Sequence, residues 1–119
     1  MKVIFYEKRS GKKPVNDFLN KLSRQSRSKI VACLKFLQQK ETKINTNMNN
    51  MVFRQLKGKL WEIKIRTSDG SYRIFYTMLS EDLMILLHAY KKQSQKAPQK
   101  ELDIATKRME EVQNKVNIK

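Results

Sequence analysis

Residues 60–76 read LWEIKIRTSDGSYRIFY. Apolar and polar residues alternate on both sides of Ser68–Ser71, the pattern of two half-buried strands joined by a tight turn. The Asp69-Gly70 pair favours a two-residue type I′ turn. Ser68 then opposes Ser71, and pairing runs outward. Arg66 faces Arg73, Ile65 faces Ile74, Lys64 faces Phe75, Ile63 faces Tyr76, and Glu62 faces Thr77. Side chains alternate between the two faces of a sheet. Trp61, Ile63, Ile65, Tyr72, Ile74 and Tyr76 therefore make a face for helices. Lys64, Arg66 and Arg73, with Phe75 among them, make the other face, expected to stay open. A slip of one residue would bury these cations, so the register should be firmly held. Two arginines directly opposite cost roughly 0.2–1 kcal/mol, which points to an anion between them.

The hairpin extends into a further strand at 83–90, turning at Glu81-Asp82. A two-residue loop there is the preferred reading. It sets Phe75 opposite His88 and Arg73 opposite Tyr90, so His88 and Tyr90 join the basic face. A three-residue loop would bring Leu87 and Ala89 there instead. Lys91, Lys92, Lys96 and Lys100 follow with no acid before Glu101. This stretch and the open sheet face could form one basic concavity.

Upstream, KVIFYE at 2–7 reads as a first strand, and Ser10–Lys13 as a turn. Pro14 suits the first position of a helix, with an apolar stripe at Val15, Phe18, Leu19 and Leu22. After a break at Ser23–Ser26, a second helix at about 27–41 carries Ile30, Cys33, Leu34 and Leu37, with Val31 at the edge. The two stripes predict an antiparallel helix pair packed on something flat. Residues 42–51, TKINTNMNNM, read as a polar loop, followed by a strand at 52–56. A last helix at about 98–114 opens at Pro98, with Glu101 favourably placed against the helix dipole. Leu102, Ala105, Met109, Val112 and Val116 run at helical spacing. The fold class is α+β: an antiparallel twisted sheet with two N-terminal helices and a C-terminal helix against it, helices on one face.

The 119 residues suit one compact domain, 1–119. Apolar residues make up 39 %, enough for a core. The 26 basic residues against 11 acidic give a net charge of +15. That balance predicts attraction to polyanions. No apolar run is long enough for a signal peptide or a membrane span. The single cysteine, Cys33, has no internal disulfide partner, which suits a cytoplasmic location. One cysteine and one histidine argue against a zinc site.

Two stretches, LKGKLWEIKIRTSDGSYRIFY and LLHAYKKQSQKAPQKELDIATKRMEE, resemble the RelE/ParE toxin superfamily, in particular its HigB-like, phage-derived branch. That branch typically shows L-x-G-x-L-W-E-L-R, G-x-Y-R-I-x-Y, L-L-H-x-F-x-K-K-x-x-K-x-P and a helix containing A-x-x-R. The similarity spans about residues 53–112. The element order read along the chain, β-α-α-β-β-β-α, is RelE-like. The resemblance implies a toxin of a type II toxin–antitoxin pair. RelE- and HigB-like members cleave mRNA in the ribosomal A site and use no cofactor. The implied partners are the ribosome, mRNA and a cognate antitoxin, commonly a small helix-turn-helix protein. Operator DNA is met only through that antitoxin, and no membrane is involved. By the same resemblance Lys64, Arg73 and Lys91 or Lys92 match basic site positions, while His88 and Tyr90 are similar to the His/Tyr usage of HigB-type sites. Glu62 stands where RelE-like members often carry a second lysine. The C-terminal helix has no tyrosine, where RelE-like members often place a catalytic one.

The chemistry implied is attack of a ribose 2′-OH on the adjacent phosphate. It needs a proton acceptor, stabilisation of a crowded phosphorane and a proton donor to the leaving 5′-oxygen. Acid–base help is worth roughly 10²–10⁴-fold. Arg66 and Arg73 suit the phosphate, because a guanidinium stays charged and forks onto its oxygens. Lys64, depressed by neighbouring cations, is a candidate base. Tyr90, His88 or Lys92 is a candidate acid, and Tyr90 could also stack on a splayed base. Lys57, Lys91 and Lys96 complete the expected phosphate contacts. Each residue also has a structural alternative. Lys64 and Arg66 fit solvated sheet positions, and Arg73 fits an ion pair with Glu62 or Asp82. His88 and Tyr90 fit packed strand positions, and Lys91-Lys92 a solvated run. Two other functions stay open: a ParE-like inhibitor of DNA gyrase, and a ribosome- or RNA-binding module without catalysis.

Overall fold

A computed structural model describes residues 1–39, 51–93 and 98–117. The elements are β1 (Lys2–Phe5), α1 (Pro14–Asn20), α2 (Arg24–Gln39), β2 (Met51–Lys57), β3 (Leu60–Thr67), β4 (Gly70–Ser80), β5 (Leu83–Lys91) and α3 (Gln99–Asn117). The α+β class expected from the sequence is the one observed. All four strand candidates after the helix pair are strands, one more than the RelE-like order. The expected polar loop falls on residues 42–50, outside the described residues, apart from Met51, which begins β2 and is buried.

Local chemistry accounts for the helix starts. Pro14 opens α1 at its first turn, where a missing N–H breaks no bond. Ser23 caps α2: its hydroxyl accepts the Ser26 N–H at 3.2 Å, satisfying a donor that the helix itself leaves orphaned. Ile30, Cys33, Leu34 and Leu37 are buried on one side of α2. Pro98 carbonyl bonds to Glu101 and Leu102 open α3.

The sheet has the order β1-β5-β4-β3-β2. It is mixed rather than antiparallel throughout, because β1 pairs with β5 in parallel, Lys2 with Leu83 through Phe5 with Leu86. The helices also lie on both faces rather than one. Val15, Leu19, Ile30, Leu34 and Leu37 from α1 and α2 pack on Ile63, Ile65, Tyr72, Ile74, Tyr76 and Leu86, with Trp61 at the margin. Ala105 and Val112 of α3 pack on the opposite face, against Leu60, Phe75, Ile85, Leu87 and Tyr90.

The central hairpin sorts its faces as the alternation predicts, yet its register differs. Thr67 pairs with Gly70, Arg66 with Ser71, Ile65 with Tyr72, and Lys64 with Arg73. The loop is Ser68-Asp69, one residue earlier than an Asp-Gly turn, so every partner moves by two and every side chain keeps its face. The cause is Asp69. Its carboxylate accepts hydroxyls of Thr67 at 2.8 Å, Tyr72 at 3.0 Å, Ser23 at 3.2 Å and also Ser26. These bonds fasten the hairpin end to the start of α2. They also hold the Asp69 carboxyl well below the usual range, the Ser26 and Thr67 bonds contributing most. Gly70 begins β4 at φ 145°, a conformation that side chains disfavour. A Cβ there would stand 2.8 Å from Lys91 Cε.

Between β4 and β5 the expected pairs form: Phe75 with His88 and Arg73 with Tyr90. They do so through two compensating irregularities. A shift between Met78 and Ser80 changes the register after the Glu81-Asp82 turn, and a second between Phe75 and Tyr76 restores it. The second leaves Leu87 as the extra residue, so it lies in the core under α3.

Candidate active site

The open basic face is narrower than the sequence alone suggests. α3 covers its β4–β5 half, where Phe75 is 0 % exposed and Tyr90 is buried. What remains open is the β2–β3 half. Val52, 58 % exposed, pairs with Lys64, and Arg54 pairs with Glu62. Arg66 is exposed and Lys64 half-buried on the same face.

Lys64, Arg73 and Tyr90 stand in one row across β3, β4 and β5. Lys92 joins them just past β5, its N–H bonded to the Ser71 carbonyl at 2.8 Å. The Lys64 and Lys92 side chains come close enough to act on each other. That closeness, followed by desolvation and the charges of Lys64 and Arg73, holds the Lys92 ammonium below the ordinary lysine range. The expected Arg66–Arg73 confrontation is thus replaced by one between Lys64 and Lys92, over Arg73.

Arg73 itself is not a surface phosphate ligand. It is 3 % exposed and donates to Glu62 at 3.2 Å. Glu62, equally buried, also meets Arg54 at 3.3 Å. Arg73 therefore acts as a fixed charge beneath the two lysines. Burial pushes the Tyr90 hydroxyl pKa up, while the nearby charge of Arg73 pulls the other way, and the hydroxyl itself is sealed from solvent.

His88 lies one row away and is committed elsewhere. One ring nitrogen, Nε2, stands 2.6 Å from a Glu101 carboxylate oxygen, and Arg108 approaches the other, Nδ1, at 3.4 Å. A guanidinium has only donors, so Nδ1 accepts and Nε2 carries the proton to Glu101. Burial lowers the His88 pKa most, Glu101 opposes that, and Arg108 reinforces it. The ring is parallel to Phe75, with centroids 6.3 Å apart, and near-parallel to Tyr90 at 6.4 Å. His88 works as a neutral strut that docks α3, and its expected acid–base role has no free nitrogen to perform it.

The remaining expected residues separate. Lys91 pairs with Tyr72, so it points to the α1–α2 side, its ammonium 5.9 Å from the Tyr72 ring. It does not join the Lys64 row. Lys57 closes the far end of β2 opposite Leu60, at the other end of β3 from Arg66. Lys96 lies outside the described residues. Sequence reasoning missed Arg54, Glu101 and Arg108 as participants. The A-x-x-R motif held the signal for the last: Ala105 is fully buried against the sheet, and Arg108 donates to the Leu87 carbonyl at 2.9 Å.

A helix pair on one face, a fifth strand added in parallel, and a C-terminal helix half-covering a basic face define an α+β module with an anion-seeking surface. The chain belongs to the family described as phage derived protein Gp49-like (DUF891), which matches residues 17–110. That family is related to the RelE/HigB toxin superfamily, and membership is consistent with a toxin-like module. No curated protein matches the chain. Among the described residues, no helix is long and apolar enough to cross a membrane.

Proposed function

We propose that this chain is the toxin of a type II toxin–antitoxin pair and cleaves ribosome-bound mRNA by attack of a ribose 2′-OH. The observation that carries the reading is the Lys64–Lys92 pair above buried Arg73. Two neighbouring cations repel one another, and a phosphate between them would relieve the repulsion. Lys92, whose proton is held loosely, takes the 2′-OH proton as the O2′–P bond forms. The P–O5′ bond breaks, and the Lys64 ammonium protonates the leaving oxygen. Arg73 stabilises the phosphorane charge from below. Arg66 and Arg54 flank the row for neighbouring phosphates. The ribosome would supply substrate positioning, and an antitoxin would cover the same face.

Mapping mRNA ends in a translating extract tests the reading. Wild-type protein yields new cut ends. Lys92→Ala and Lys64→Ala, both away from the core, fold normally and lose about 10²-fold or more of the cutting. Intact mRNA with DNA breaks would instead mark a gyrase inhibitor. Arrested translation with intact mRNA would mark a module that binds without catalysis.

A further inference from the structure

Glu62 is an acid in a cationic site, and its burial sets it apart. It is 3 % exposed. It bridges Arg73 at 3.2 Å and Arg54, itself 57 % exposed, at 3.3 Å. A carboxylate taken out of water costs several kcal/mol unless its partners compensate. Here the compensation fixes a geometry. Lys64 follows two residues later on the same face of β3, and Arg73 pairs directly with Lys64.

We propose that Glu62 is a positioning residue of the candidate site: held by Arg54, it pins the Arg73 guanidinium beneath Lys64 and Lys92 and offsets part of its positive charge there. Without that carboxylate, the Arg73 side chain would lose its anchor, and the lysine pair would feel its charge in full. The groups that bear on Lys92 are Lys64 and Glu62 from β3 and Arg73 from β4, with Tyr90 in the same row from β5. Glu62 is the negative member among them and favours the charged ammonium. The proposal deepens the nuclease reading where it concerns cutting. The arrangement of charges can be measured without RNA.

The experiment follows Lys92 by NMR of ¹³C-labelled lysine side chains across pH, with Lys92→Arg assigning the resonance. Glu62→Gln keeps the shape and removes the charge. Its Lys92 midpoint should fall by about 0.3–1 unit. Glu62→Asp keeps the charge but withdraws it by one methylene. It should hold the midpoint near wild type while lowering mRNA cutting at least tenfold. A folded Glu62→Gln protein with the wild-type midpoint overturns the proposal, as does Glu62→Asp shifting as far as Glu62→Gln. Should Glu62→Gln fail to fold, Arg54→Gln at its exposed site removes the outer anchor. The Arg73 guanidinium protons should then exchange at least tenfold faster, and unchanged exchange overturns the proposal. A wild-type protein that cuts no mRNA, while Glu62→Gln still shifts Lys92, removes the nuclease reading and supports the role of Glu62.

Discussion

The Arg73–Glu62 pair has one property that a surface pair lacks: both side chains are almost wholly shielded from water. Removing Arg73 leaves the buried Glu62 carboxylate to Arg54, which is 57 % exposed. Arg73→Ala should therefore cost about 3–5 kcal/mol in urea unfolding. The double replacement Glu62→Leu with Arg73→Met should recover most of that loss, since apolar residues of similar volume need no counter-ion. Arg73→Ala is consequently a poor probe of chemistry, and half-buried Lys92 is a better one. Lys91 offers an internal control. It lies on the opposite side of the sheet from Lys64, so Lys91→Ala should leave mRNA cutting within about twofold of wild type, measured as above. The adjacent lysines were indistinguishable in sequence because only the strand's last pairing decides which face each takes. Lys64 and Arg73 were legible as a group because alternation sorts them, and Tyr90 joined them through the choice of a two-residue turn at Glu81-Asp82. The burial of Arg73 was not legible, since it depends on Glu62 lying across from Phe75 and on Arg54 reaching over from β2.

Among the elements, α3 departs most from the sequence reading. Its length and apolar spacing were plain in the chain, but its side of the sheet was not. Leu87, displaced at the β5 irregularity, and small Ala105 together make room for it. Polar contacts then fasten it, among them His88 with Glu101, Arg108 with the Leu87 carbonyl, and the Tyr6 hydroxyl donating to Glu111 at 2.7 Å. The first of these titrates. Because the folded His88 pKa is lowered, the unfolded chain binds the proton more readily. Stability is then complete above about pH 6.5 and declines as pH falls through that value toward the folded pKa. Urea midpoints between pH 7.5 and 5 should show the decline, and His88→Asn should flatten it. Ala105→Leu, with no space against the sheet, should cost about 1–3 kcal/mol. The hairpin teaches a related lesson. Asp-Gly marked the turn, but the register was set by Asp69 reaching hydroxyls on α2, a long-range contact that no local pattern encodes.

For the molecule as a whole, the net charge of +15 sets how it meets a polyanion. Binding to ribosomes or to plain RNA should weaken steeply with salt, log affinity falling linearly with log salt concentration. Filter binding between 50 and 200 mM salt would measure the slope. Lys92→Ala should reduce it by about one contact's worth. The architecture carries a separate consequence for synthesis. β1 is made well before β5, its partner in the sheet, with Lys2 against Leu83. Closing so long a loop is slow compared with forming local hairpins. The two-sided layering therefore cannot be completed on a nascent chain until β5 and then α3 have cleared the exit tunnel. The row of Lys64, Arg73 and Tyr90, with Lys92 beside it, therefore comes together only after β5 has emerged.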